Sequence, residues 1–392
     1  MEIFNDVLNL GMHPFADSFI GKNDTTEPLI PLVVQKNFET GLLKLKHDTS
    51  KLDRYNFVDY SYTSNNSATA KNHWDEFASF VNNQISPGSK VVEVGSNDGR
   101  LLHRLSKSGH TVLGVDASAY MCELAMKIGV NCLNSYLNEI TADQVKGSFG
   151  EVDIVIANNV LNHANDVISF LNSAKKMLND GGILVYEVPS WYEMVKNYDF
   201  PDMVYHEHVY YFTLRAIVNL AERVDMNICG FDIVNYHGGS FRITMQKRMG
   251  IRTNKSLVAL ESYLKDEAGH GIFSPDYYDY YYERLIENRR KWLLGFYEKI
   301  SSNKYDAVVG VGAAAKANTW LNWMGLSSRD FSFITDASAH KQGKYTPLSR
   351  IPIVADDMLQ KYSKPLVIVL SWNLRKQLEK VILEHNINSE FY

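Results

Sequence analysis

Cysteine is scarce: Cys122, Cys132 and Cys229 are the only three in 392 residues. None stands in a CxxC pair, so neither a disulfide framework nor a zinc knuckle can be built from them, and buried reduced thiols are expected. Long apolar runs are missing as well, which excludes an obvious membrane-spanning helix. There is no excess of basic charge: 40 Lys and Arg face 45 Asp and Glu, a formal net charge of −5. That balance argues against a broad phosphate-binding face, and so against nucleic acid as a partner. The segment MEIFNDVLNL lacks the basic, apolar, small-residue order of a signal peptide. The expectation is a cytoplasmic protein acting on a small molecule, with no membrane partner.

What is present fits a soluble enzyme. Hydrophobic residues make up 45% and charged residues 22%, and the length suits two domains, or two with a small lobe. Short apolar runs broken by Pro14, Pro28 and Pro31 predict a small irregular or β-rich lobe at the start. Helical spacing of Ala70, Trp74, Phe77, Ala78 and Val81 then predicts a helix over 67–81, closed by the turn at Pro87-Gly88. Strands over 90–94, 111–115, 152–157 and 182–188 alternate with helices to about 108, over 117–128 and over 167–178. Such alternation is that of an α/β doubly wound parallel sheet with its ligands at the strands' carboxyl ends. Residues 226–246 read as two antiparallel strands finishing one sheet edge, and 254–301 as a helical connector. From Tyr305 a second α/β pattern begins, with strands near 306–311, 331–335, 351–354 and 365–370. The predicted divisions are 1–66, a small lobe; 67–250, a cofactor domain; 251–303, the connector; and 304–392, a second, smaller Rossmann-like domain.

Between the first strand and its helix stands VVEVGSNDGRLLHRL, residues 91–105. Glycines at such a turn let the backbone approach a ligand, and free amides at the helix start face it. Gly95, Asn97 and Gly99 supply the turn, and Asp116, closing the next strand, is placed to accept from ribose hydroxyls. Three details favour S-adenosylmethionine over a dinucleotide: Glu93 two residues before the turn, GxNxG spacing in place of GxGxxG, and Asn158-Asn159 at a later strand's end. In this order the motifs resemble class I methyltransferases. The resemblance implies adenosine near Asp116 and the methionine portion near Gly95 and Asn97, with Glu93, Gly99 and Asn159 completing the cofactor set.

PDMVYHEHVYYF, residues 201–212, packs Tyr205, His206, Glu207 and His208 into consecutive positions. Methyl transfer to carbon needs a carbanion, hence an acidic C–H beside a carbonyl and a base of near-neutral pKa, which histidine provides. Glu207 is expected to orient the imidazole, and a tyrosine hydroxyl to donate to a developing enolate. His163, just past a parallel strand, joins the catalytic candidates. The HxH pair alone is a weak metal signal, and no metal is expected.

Together with HGGSFR, GAAAKANTWLN, DASAHKQGKYTP, IPI, LSWN and LGMHPFADSF, the YHEH run resembles the nucleotide-sugar C-methyltransferases that build branched deoxysugars. The resemblance covers most of the chain. It implies a nucleotide-linked 4-keto-6-deoxysugar acceptor whose carbonyl acidifies a C–H. His208 would be the base, assisted by Tyr205, Glu207 and His163. It places His206, and Tyr60 or Tyr62 of DYSYTS, on the acceptor side. In the second α/β domain Gly310 and Gly312 form a turn suited to anions. There the resemblance implies nucleotide-sugar contacts, with Lys316, Asn318, Lys341 and Trp372 as the positions. One departure is plain: Gln35-Lys36-Asn37 and Glu39-Thr40-Gly41 stand where such enzymes carry zinc-binding cysteine pairs, so no zinc is expected and the lobe must be held by packing alone. Transfer to oxygen or nitrogen, a binding protein that has lost the chemistry, and an NAD-dependent oxidoreductase remain as other readings of the same residues.

Overall fold

The structure is a computed structural model that describes residues 2–24, 26–50, 68–197, 199–236, 238–247 and 254–392. Strands β1 (Asn5–His13), β2 (Ile30–Lys36) and β3 (Leu43–Leu45) form an antiparallel lobe, as the short apolar runs predict. Lys36 there is fully buried. Its Nζ donates to the Ile272 carbonyl and the Tyr278 hydroxyl, both at 2.8 Å, and lies 4.7 Å from the centre of the Phe273 ring. Next to it the Asn37 Oδ1 accepts from the Glu39 and Thr40 amides at 3.0 and 2.9 Å. Packing alone therefore does not hold the lobe. A buried amine and a side-chain-capped turn occupy the positions where cysteines were expected, and burial pushes the Lys36 amine down to about 7.

The helix Ala68–Asn82 leads into the central sheet. Its strands are β4 (Lys90–Val94), β5 (Thr111–Asp116), β6 (Cys132–Asn134), β7 (Val152–Ile156) and β8 (Leu178–Pro189). After β9 (Tyr210–Tyr211) come β10 (Met226–Val234) and β11 (Ser240–Lys247), and the spatial order is β6-β5-β4-β7-β8-β11-β10. β4 pairs in parallel with both β5 and β7, so chain order reverses on either side of it. A crevice opens at that reversal, beyond the carboxyl ends of the strands. β11 runs antiparallel to β8 and β10, the sheet edge that 226–246 predicts.

β9 does not join this sheet. It pairs with β3, extending the amino-terminal lobe to four strands directly after the YHEH run. β8 starts at Leu178, four residues earlier than the expected 182. Asn179 braces the turn-like stretch from within, accepting from the Gly181 amide at 3.1 Å and donating to Asp153 at 2.8 Å. Helices Glu139–Phe149, Leu214–Arg223 and Arg375–His385 were not expected; the middle one buries Leu214, Ala216, Ile217, Leu220 and Ala221. Of the other two, the first buries only Thr141, Ala142 and Val145 and the second only Ile382, so neither writes a strong apolar period into the sequence.

Helices Asn254–Gly269 and Pro275–Ser301 make the connector. The last domain is an all-parallel sheet of β12 (Ala307–Val311), β13 (Phe333–Thr335), β14 (Ile353–Val354), β15 (Pro365–Val369) and β16 (Glu390–Phe391), ordered β14-β13-β12-β15-β16. Among the described residues no helix is long and apolar enough to cross a membrane.

Candidate functional site

A cavity of about 1040 Å³ is lined by residues at the carboxyl ends of the parallel strands of both α/β sheets, by the loop 201–208 and by Asp17 of the amino-terminal lobe. Glu93, Gly95, Asn97, Asp116, Asn158 and Asn159 line its cofactor side. The Asp116 carboxylate accepts from the Asn97 amide and the Ser118 amide, each at 2.8 Å. One acceptor direction on each oxygen is left over, the pattern a ribose diol needs. Burial raises the Asp116 carboxyl, opposed in part by those two amides. Glu93 is pushed well above the ordinary carboxylate range by burial and by the charges of Asp116 and Asp98. Its Oε2, both side-chain polar atoms of Asn158 and the Asn159 Oδ1 are buried with no partner among the described residues. Buried polar atoms in that state call for a polar ligand, so the cradle fits the cofactor.

Two of the turn glycines are also constrained by packing. At Gly95, φ is +69° and a Cβ would fall 2.3 Å from Val160 Cγ2; at Gly99, φ is +74° and a Cβ would meet the Ala125 Cβ at 2.7 Å. Both are held to glycine by packing against protein. Gly99 does not line the cavity at all.

On the opposite wall, the Met203 carbonyl lies 2.8 Å from the Nδ1 of His208. A carbonyl only accepts, so Nδ1 carries a proton, and it is Nε2 that holds the lone pair whenever the ring is neutral. The Tyr205 hydroxyl, 2.9 Å away, donates to that Nε2. Burial, then the charges of Asp17 and Glu207, hold the Tyr205 hydroxyl well above its usual pKa, so it stays protonated. His163 Nδ1 likewise donates to the Glu207 carbonyl at 2.7 Å, and its ring stands edge-on to His208 with centroids 4.7 Å apart. The Glu207 carboxylate does not orient His208: its Oε1 accepts from the Asp17 amide at 3.1 Å. Burial and the neighbouring Asp17 raise the Glu207 carboxyl to about 8.

His206 faces away from the cavity, fully buried and edge-on to Phe15 with centroids 5.9 Å apart. Burial lowers its imidazole to about 4. Asn318 is also off the cavity, donating to the Ala16 carbonyl at 2.6 Å. The YHEH run is a turn, closed by the His208 amide donating to the Tyr205 carbonyl at 2.9 Å, which leaves Tyr205, Glu207 and His208 on the cavity and His206 on the lobe. Lys316, Lys341 and Trp372 do line the cavity, but all three are engaged, Lys341 donating to the Ala313 carbonyl at 2.7 Å. The Asp202 carboxylate accepts from Trp372 Nε1 at 2.9 Å and from Lys316 Nζ at 3.4 Å, tying the YHEH loop to the last domain. Tyr60 and Tyr62 lie outside the described residues. Asp17, Asp202, Trp74 and Tyr236 line the site without having been singled out; Asp17 and Asp202 sit inside the quoted runs LGMHPFADSF and PDMVYHEH. Among the described residues, no group of three His, Cys, Asp or Glu side chains could hold a metal ion.

Residues 68–229 match the methyltransferase domain family, and residues 235–386 match the C-methyltransferase C-terminal domain family. The C-methyltransferase NovU of Streptomyces niveus is 27% identical over 97% of this chain and 90% of its own length. A ubiquinone biosynthesis O-methyltransferase of Actinobacillus pleuropneumoniae is 25% identical over 25% of this chain and 45% of that enzyme. Among solved structures, the magnesium protoporphyrin IX methyltransferase of Synechocystis PCC 6803 aligns over 51% of this chain and 92% of that one, at 15% identity and a TM-score of 0.36. With a cradle that fits S-adenosylmethionine, a match to the methyltransferase domain and a match to the C-methyltransferase C-terminal domain, the chain is an S-adenosylmethionine-dependent methyltransferase that is similar to C-methyltransferases over nearly its whole length.

Proposed function

We propose that this enzyme methylates a carbon of a nucleotide-linked keto-deoxysugar, with His208 as the base that removes the proton beside the keto group. The Tyr205–His208 pair carries the reading: the imidazole Nε2 and a neutral hydroxyl meet at 2.9 Å in the cavity that the cofactor cradle also lines. Enolisation needs this combination, because as the base takes a proton from carbon a donor must stabilise the charge appearing on oxygen. His208 Nε2 takes the C–H proton, the Tyr205 hydroxyl turns to the enolate oxygen, and the Glu207 carboxyl, protonated at neutral pH, is a second donor at the same wall. His163 buttresses the His208 ring and the Glu207 backbone. Bound S-adenosylmethionine supplies the electrophilic methyl group. Asp116 and Asn97 hold it at the end of the first strands, while Lys316, Lys341 and Trp372 line the side where the nucleotide would lie.

The test is incubation of the enzyme and a 4-keto-6-deoxy nucleotide-sugar in deuterated water. Exchange at the carbon beside the ketone, and a product methyl on that carbon, are expected. His208→Asn should lower both by about two to four orders of magnitude. A product that gains one methyl without losing a C–H means transfer to oxygen or nitrogen, and overturns the proposal.

A further inference from the structure

His208 works as a base only while its neutral ring keeps one tautomer. With the proton on Nδ1, Nε2 offers a lone pair to a C–H; with the proton on Nε2 that lone pair is gone, and Tyr205 would have to accept where it now donates. The Met203 carbonyl, 2.8 Å from Nδ1, makes the choice. Met203 belongs to no helix or strand. Its loop is bonded to itself through turns, the Val204 amide donating to the Pro201 carbonyl at 3.0 Å and the His208 amide to the Tyr205 carbonyl at 2.9 Å. Turns of this kind leave the direction of the Met203 carbonyl to be set from outside.

The outside grip comes from the last domain. Phe200 packs on Trp323 with ring centroids 5.2 Å apart. Directly before Met203, the Asp202 carboxylate accepts on one oxygen, Oδ2, from Trp372 Nε1 at 2.9 Å and from Lys316 Nζ at 3.4 Å. Lys316 Nζ also lies 5.4 Å from the centre of the Trp372 ring, so the three groups close on one another. The Asp202 and Lys316 side chains are only 12% and 10% exposed, and water competes little for them. Lys316 and Trp323 stand on the helix Ala315–Met324, and Trp372 follows β15. Behind the loop, the Tyr281 hydroxyl of the connector donates to the Asp199 carbonyl at 2.7 Å.

We propose that Asp202 is a positioning residue for His208: by fastening the residue before Met203 to Trp372 and Lys316, it keeps the Met203 carbonyl on Nδ1 and so keeps the proton off Nε2. This rests on the reading of His208 as the base given above. Asp202 takes no proton in the reaction; it acts through the backbone of its neighbour.

The full chain is labelled with 15N-histidine and its ring nitrogens are followed by NMR, the His208 pair being the one lost in His208→Asn. In the wild type Nδ1 should be protonated and Nε2 not. Asp202→Ala and Trp372→Phe should each move the His208 signals toward a mixture of tautomers, while the affinity for S-adenosylhomocysteine, which reports folding, is unchanged. With a 4-keto-6-deoxy nucleotide-sugar in deuterated water, kcat for exchange should fall by about 10- to 100-fold in Asp202→Ala with KM little changed. The double variant should lose no more kcat than Asp202→Ala alone, since both changes cut one tether. An Asp202 that only braces the fold would lower the unfolding temperature and leave the His208 tautomer and kcat at their wild-type values, which overturns the proposal. So do losses that multiply in the double variant. If Asp202→Ala, with Lys316 left as an unpaired buried cation, does not fold, Trp372→Phe carries the test, because it keeps the Asp202–Lys316 pair. Absence of exchange in the wild type sinks His208 as the base, while the tautomer measurement still decides what Asp202 does. A wild-type ring protonated on Nε2 sinks both.

Discussion

Glu187→Gln tests how the helix Ala68–Asn82 is anchored over the cavity. Glu187 sits on β8 with no exposed surface; its Oε2 meets His73 Nε2 at 2.7 Å, and its Oε1 meets Arg242 Nε at 2.7 Å and Nη2 at 2.6 Å. Arg242 is only 11% exposed and its guanidinium lies 4.9 Å from the centres of both Phe77 and Phe80. His73 stacks on Tyr236 at 4.0 Å. Glutamine keeps the shape but removes the counter-charge, and its NH2 turns a donor toward one of two donors. Removing one partner of a buried ion pair costs about 3–5 kcal/mol, because the other charge stays buried and unpaired. For a domain of about 150–250 residues each kcal/mol is worth about 2–4 °C, so the first unfolding transition should fall by about 6–20 °C. Differential scanning calorimetry, with and without S-adenosylhomocysteine, measures this. Ala70 and Trp74 of the same helix line the cavity, so the stabilisation by that ligand should shrink too. The double variant Glu187→Leu/Arg242→Met should recover much of the loss, since an apolar pair leaves no charge behind. A fall under about 2 °C, well below the span set by the per-kcal scaling, refutes the uncompensated-charge argument.

Other outcomes follow from single groups. Asp116→Ala should weaken S-adenosylhomocysteine binding by about 10- to 100-fold, as loss of hydrogen bonds to a charged acceptor does, without lowering the yield of folded protein; calorimetry and circular dichroism separate the two. Glu207 holds its proton to about pH 8 in the fold against 4.5 in the open chain, so its contribution to stability is complete at acid pH and is lost as pH rises through that window. Thermal unfolding of Glu207→Gln against pH should lack that decline, and a slope unchanged from wild type contradicts the assignment. Lys36 behaves with the opposite sign. Its amine is lowered to about 7 from 10.5, so the unfolded chain binds more protons between those values and stability rises with pH there. In Lys36→Met the rise should vanish, and the orphaned Ile272 carbonyl should cost about 1–3 kcal/mol in chemical denaturation.

The alternating pattern was legible because strand and helix periods are written in neighbouring residues: the apolar run of β4, the glycine turn after it and Asp116 closing β5 are each local. The two weakly amphipathic helices escaped for the same reason, since their few buried positions make no period.

The sequence by itself determined the fold class, the cofactor turn and the concentration of Tyr205, Glu207 and His208 in one loop. Tertiary structure decided what each of those groups does. Asp17 reaches Glu207 across 190 residues, Asp202 reaches Trp372 across 170, and His206 turns to the lobe while His208 turns to the cavity. A side chain's chemistry is set by the charge, donor or apolar wall that meets it, and those partners arrive from elements whose crossing no local period records.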